Sequence, residues 1–183
     1  MLLDKIREFD IPVVGVIKPF ESINNLLSYT RDLKGAEGFV VAFENGHRVK
    51  IKAEEYVRIH KTLERIVFDR NIVNLIINEE VDDVMPMLPV IQANRVRNFE
   101  IRFWDAFKQK ESVLVTLGYV AKTYLTRKDV ATEFVPTLEN KTDAQFIFRM
   151  LDGHDLRELL LAHVEKSIST NVKWDACAKW MGM

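Results

Sequence analysis

Asn45-Gly46 is the pair of residues that most constrains this chain. It lies between two strand-like runs, Glu37-Gly-Phe-Val-Val-Ala-Phe43 and His47-Arg-Val-Lys-Ile-Lys52. Asn-Gly between such runs is the strongest short-range hairpin signal, because a type I′ turn needs positive φ at both central positions. An antiparallel pair is therefore expected here. Two strands alone make a marginal structure, so the core must come from the rest of the chain.

A turn centred on Asn45-Gly46 also predicts a register. Position 42 then faces 49, and 40 faces 51. Side chains alternate between the faces of a strand. One face would carry Val40, Ala42, Val49 and Ile51, a dry core face. The other would carry Glu37, Phe39, Val41, Lys50 and Lys52. In that register Lys50 lies opposite Val41, Lys52 opposite Phe39, and Glu37 diagonal to Lys52. Diagonal neighbours are ~7–8 Å apart, too far for a direct ion pair but suited to opposite ends of a charged ligand.

The 183 residues suffice for one ordinary domain, or for one and a half small ones. With 26 basic and 27 acidic side chains the formal charge is −1, so no global field favours nucleic acid. Any such binding must come from local features. A single cysteine, Cys177, excludes an internal disulfide framework and a cysteine-based zinc site. No apolar run reaches the ~18 residues of a membrane span. Asp4, Glu8 and Asp10 interrupt the N-terminal stretch where a signal peptide is apolar. A cytoplasmic protein with no membrane contact is expected.

Residues 11–17, IPVVGVI, read as a short buried strand, and residues 21–33 as a helix ended by Lys34-Gly35. From Glu54 onward the period is helical. Helices are expected over 54–67, 71–78, 90–110, 112–124, 144–151 and 156–168, with a docking helix around Trp174 and Trp180. Pro86 and Pro89 mark a connection after the acidic residues Glu79, Glu80, Asp82 and Asp83. Thr126 with Asp129 resembles a capping box that starts a helix stopped by Pro136. Phe99, Phe103, Trp104 and Phe107 read as a core stripe, Tyr56 and His60 as a packing pair, His163 as a hydrogen-bonded edge residue, and Cys177 as buried and inert.

Residues 36–61, AEGFVVAFENGHRVKIKAEEYVRIHK, resemble the last two signature motifs of covalent nucleotidyltransferases, the superfamily of polynucleotide ligases and capping enzymes. The wording is most similar to T4-type phage RNA ligases, which repair the tRNA anticodon loop. There a Glu-Gly-aromatic-Val strand, a glycine turn, a Lys-Ile-Lys strand and a Tyr-Val-containing helix start follow in this order. The resemblance implies an α+β chain: a short antiparallel hairpin, remnant of a nucleotidyltransferase domain, over residues 1–53, then an all-helical domain over 54–183. It also implies that Lys50 and Lys52 are catalytic and nucleotide-binding, gripping the phosphate of ATP or AMP. Glu37 would bind nucleotide or serve Mg2+, a hard cation that takes oxygen ligands beside phosphates. RNA, and the tRNA anticodon loop in particular, is the implied partner, and the host cytoplasm of a bacteriophage the implied location. Arg95, Arg97, Arg102 and Lys108, with Lys110, form a candidate basic helix face for RNA phosphates. The ordinary alternative for that face is a solvated helix laced with ion pairs.

The family nucleophile is a lysine in a Lys-x-Asp-Gly segment upstream of the Glu-Gly strand, where its amine attacks the α-phosphate. No such segment precedes Glu37, and the sole Asp-Gly pair is Asp152-Gly153. The resemblance therefore implies the C-terminal portion of a ligase, inactive without an N-terminal half. A fragment, a split-gene product and a repurposed copy all fit that pattern. A non-catalytic RNA-binding module and an assembly protein derived from a ligase are the alternatives.

Overall fold

The computed structural model describes residues 15–17 and 20–183. The chain divides into two compact units, Met1–Arg58 and Ile59–Met183. The division falls inside a helix, where the sequence reading put the change of texture at Ala53.

The first unit contains helix α1 (Ile23–Arg31) and an antiparallel hairpin, β1 (Gly38–Ala42) with β2 (Arg48–Lys52). Ser22 starts α1 by accepting from the Asn25 N–H at 3.1 Å. Phe20, Tyr29 and Phe39 form an aromatic group with centroids 5.4–6.3 Å apart, which seats the hairpin against α1. Helix α2 (Glu54–Arg65) begins directly after β2. Arg31 pairs with Glu54 at 3.0 Å, and the Gly35 N–H donates to Glu55 at 3.1 Å. Of the strand expected over 11–17, residues 11–14 lie outside the described residues, and 15–17 form no strand.

The second unit is all helical: α3 (Asp69–Ile77), α4 (Val81–Val84), α5 (Val90–Ala121), α6 (Arg127–Asp129), α7 (Asp143–Leu151), α8 (Leu156–Ser167) and α9 (Asn171–Met181). The region is thus a short antiparallel hairpin followed by helices, an α+β layout. Among the described residues no helix is long and apolar enough to cross a membrane.

The two helices expected over 90–110 and 112–124 are one helix of 32 residues, α5. The reason is Lys110. Its buried neighbours on the stripe are Phe103, Phe107 and Leu114, spaced three and four apart, so Lys110 occupies a core position. It is only 9% exposed, and its ammonium group meets Asp143 at 2.7 Å. The Trp180 indole N–H donates to the same Asp143 oxygen at 2.7 Å, and the Lys110 ammonium lies 4.4 Å from the Trp180 ring centroid. A charge that reads as the end of an apolar stripe is in fact a buried pair joining α5, α7 and α9. Lys110 therefore leaves the candidate basic face.

The core runs along this stripe. Phe103, Phe107, Ile72, Leu114 and Leu160 are fully buried, and Trp174, Cys177 and Trp180 of α9 complete it. Phe99, Phe103 and Phe107 of α5 are core, as their spacing predicts, and Trp104 packs against them partly buried. A second cluster, Ala121, Val130, Phe134, Leu138 and Ile147, lies around the far end of α5. Thr126 and Asp129 form both bonds of the capping box, and the helix then widens to a π turn over Val130–Phe134 and tightens over Val135–Thr137 at Pro136. His163, expected as a hydrogen-bonded edge residue, makes no side-chain hydrogen bond among the described residues. Its ring stands edge-on to Phe146 and Trp180 at 5.3 and 5.0 Å, and burial there, with Lys166 nearby, pushes its pKa down. Burial pushes the Cys177 thiol up, opposed by a hydrogen bond with Ser167.

Candidate phosphate-gripping hairpin

The observed register pairs Gly38 with Lys52, Phe39 with Ile51, Val40 with Lys50, Val41 with Val49 and Ala42 with Arg48. This is one residue away from the register expected above. The turn explains the slip. Only Gly46 takes positive φ, at 83°, while Asn45 uses its side-chain oxygen to accept from the His47 N–H at 3.0 Å. The Gly46 N–H donates to the Phe43 carbonyl and the Phe43 N–H to the His47 carbonyl, both at 2.9 Å. The loop therefore has three residues with glycine in the left-handed position, rather than a two-residue type I′ turn.

A one-residue slip moves every side chain of one strand relative to the other. The apolar face is Phe39, Val41, Val49 and Ile51, in place of the expected Val40, Ala42, Val49 and Ile51. The opposite face carries Arg48, Lys50 and Lys52 over Val40 and Ala42. Lys50 and Lys52 do share a face, because that follows from their spacing in any register. Arg48 joins them for the same reason. Its i, i+2, i+4 relation to the lysines was legible in Arg-Val-Lys-Ile-Lys, although the sequence reading passed over it.

Glu37 reaches the cationic face through Gly38. Simple alternation puts Glu37 on the side of Phe39 and Val41. Gly38 instead adopts φ +137°, and a Cβ built there would stand 2.0 Å from the Ile51 carbonyl oxygen. Only glycine fits this close approach. With the chain turned there, the Glu37 carboxylate lies 2.7 Å from the Lys50 ammonium and 3.9 Å from that of Lys52. The expectation that Glu37 and Lys52 are too far apart to pair is thus corrected. Tyr56, at the start of α2, adds its hydroxyl to Glu37 and its ring to Lys52, whose ammonium is 5.5 Å from the centroid. Tyr56 is a member of the site that sequence reasoning assigned to packing. Its only signal was position, four residues after Lys52.

The electrostatics follow from these contacts. The Lys50 hydrogen bond holds the Glu37 carboxyl below its ordinary range, with the charges of Lys50 and Lys52 and the Tyr56 hydroxyl acting the same way. The Glu37 hydrogen bond raises Lys50 in turn. Desolvation pushes the Tyr56 hydroxyl up, helped by the Glu37 charge and hydrogen bond. The three charged side chains stay 40–50% exposed. An ion pair that open to water is weakly held, so an arriving anion can compete with Glu37 for Lys50. The arrangement can hold an anion with one guanidinium and two ammonium groups on a single strand.

The candidate RNA-binding residues do not form one surface. At ~100° per residue, Arg95 and Arg102 fall on one side of α5 and Arg97 and Lys108 on the other. Arg95 pairs with Asp69 at 2.8 Å and donates to the Ile66 carbonyl at 2.8 Å. Arg97 bridges Asp82 at 3.0 Å and Glu100 at 2.8 Å. Arg102 lies over the Phe99 ring, and Lys108 is exposed. Glu80 pairs with Arg65, so part of the acidic cluster neutralises nearby arginines. These contacts match the ion-paired helix alternative.

Among the described residues no three His, Cys, Asp or Glu side chains stand together to hold a metal ion. Glu37 is a single carboxylate facing two ammonium groups, which makes it a poor cation ligand in this arrangement. No family model, no curated protein and no solved structure matches the chain.

Proposed function

We propose that the hairpin is the phosphate-gripping edge of a covalent nucleotidyltransferase site. On this reading the chain is the C-terminal portion of an ATP-dependent, T4-like RNA ligase. The complete enzyme joins a 5′-phosphate to a 3′-hydroxyl through enzyme–AMP and RNA–AMP intermediates, in repair of RNA such as a cut tRNA anticodon loop. The observation that carries the proposal is the meeting of Glu37, Lys50 and Lys52 on one open strand face, within a segment whose wording resembles that family.

The chemistry asks for such a group. Adenylyl transfer forms a bond from a nucleophile to the α-phosphorus of ATP and breaks the bond to pyrophosphate. The non-bridging oxygens stay charged throughout, and fixed cations stabilise them. Lys50 and Lys52 supply that charge from a rigid strand. Glu37 keeps Lys50 protonated and aimed until phosphate takes its place. Arg48, one step further along the strand, is placed to meet a terminal phosphate. The nucleophilic lysine comes from the N-terminal half. Magnesium has no matching ligand set among the described residues.

Two experiments test the proposal. Incubated alone with labelled ATP and magnesium, the chain should acquire no covalent label, because it carries no Lys-x-Asp-Gly nucleophile. A labelled protein band would overturn that assignment. With an N-terminal half supplied, Lys50→Ala and Lys52→Ala should each lower strand joining by ~10²–10³, the scale for losing one charge-stabilising donor. Undiminished joining would remove the hairpin from the chemistry.

A further inference from the structure

The helical unit has a second concentration of hydrogen-bond donors, separate from the hairpin. A cleft of about 290 Å³ opens between the end of α2, helix α3 and the turn from α8 to α9. Its lining residues are Arg65, Arg70, Asn71, Asn74, Leu75 and Ile168. Four of these six bear N–H groups on their side chains, and none is a carboxylate.

Arg70 is held in place by its own neighbours. Its Nε donates to Asn171 Oδ1 at 2.7 Å and its Nη1 to the Ile168 carbonyl at 3.2 Å. The Phe68 ring lies 5.8 Å from the guanidinium carbon. Two hydrogen bonds fix the plane of the group, while Nη2 has no partner among the described residues. Arg65 pairs with Glu80 through Nη2, and its Nε and Nη1 have no partner among the described residues. The cluster carries two guanidinium charges against the one carboxylate of Glu80. Asp69, next to Arg70 in the chain, pairs with Arg95.

We propose that this cleft binds a phosphoryl group, as free phosphate or as the phosphate of a small ester. Two arginines and two asparagines lining one space are a donor set that suits a tetrahedral anion with three or four acceptor oxygens. A planar carboxylate has two oxygens and is satisfied by one arginine fork. A pre-oriented Arg70 loses little freedom on binding. The volume of about 290 Å³ lies just below that of ordinary ligand pockets, ~300–1,000 Å³, which suits a small group. This site does not depend on the ligase reading.

The test is a titration of the full chain with inorganic phosphate, with ribose 5-phosphate and with acetate, at constant ionic strength. The readout is the backbone amide NMR shifts of α3 and of residues 168–171. Saturable shifts are expected with a phosphate and none with acetate. The tighter of the two phosphates identifies the source of the group. Arg65→Gln and Asn74→Ala change exposed side chains, so the fold should survive. Each should weaken phosphate about tenfold, the loss of one charge-assisted hydrogen bond. An equal response to acetate, shifts that never saturate, or full phosphate affinity in both variants would overturn the site.

Discussion

Gly38 shows how much one residue decides. Its φ of +137° and its approach to the Ile51 carbonyl bring Glu37 to the lysines. Gly38→Ala should therefore cost ~1–3 kcal/mol in backbone strain alone, and more from the clash. Faster amide hydrogen exchange across 38–52, with the helical unit unaffected, is the expected outcome. Lys110 is the counterpart in the core. Lys110→Met or Asp143→Asn leaves the other charge buried and unpaired, and each should cost ~3–5 kcal/mol in urea denaturation. The double variant should cost less than the sum, since the two residues share one interaction. His163 makes the stability of the helical unit depend on pH. Its folded pKa is lowered by burial, so below the unfolded value of ~6.5 the unfolded chain binds more protons. Stability should be full above that pH and fall as the pH drops below it, and His163→Phe should flatten the slope.

At the scale of elements, long periodic segments were legible and breaks in them were not. Helices α1, α2, α7, α8 and α9 lie within a few residues of where their apolar period put them. The capping box was legible because Thr126 and Asp129 have their chemistry fixed by spacing. Thr126→Ala should cost ~1 kcal/mol and fray α6 first, as judged by hydrogen exchange at 127–130. The split placed in α5 failed because a lysine on a core stripe looks like a helix end until its buried partner, 33 positions later in the chain, is seen. The hairpin register failed for a local reason. Asn-Gly is compatible with a two-residue turn and with a three-residue turn, and Asn45 settles the choice by bonding His47 with its side chain. The lysine pair survived the slip because residues two apart share a face regardless of register.

For the whole molecule, the sequence exposed a hairpin-bearing segment followed by a helical remainder, and the shared face of Lys50 and Lys52. It did not expose Tyr56, whose role depends on α2 starting immediately after β2. Nor did it expose the cleft at Arg65 and Arg70, where Asn171 and Ile168 come from the far end of the chain. Distant pairings of that kind leave no local pattern. The basic helix does not form one face, because its charges divide between two sides of α5, and Arg95 and Arg97 meet acids from other elements. What remains of the electrostatic account is the hairpin. Its direct test is an NMR titration of the full chain with ATP, comparing the native sequence with a Lys50→Ala, Lys52→Ala double variant. The account predicts salt-sensitive shifts of the amides over 37–56 that disappear in the double variant. Shifts of the same size in both proteins, or none in the hairpin of the native chain, would contradict it.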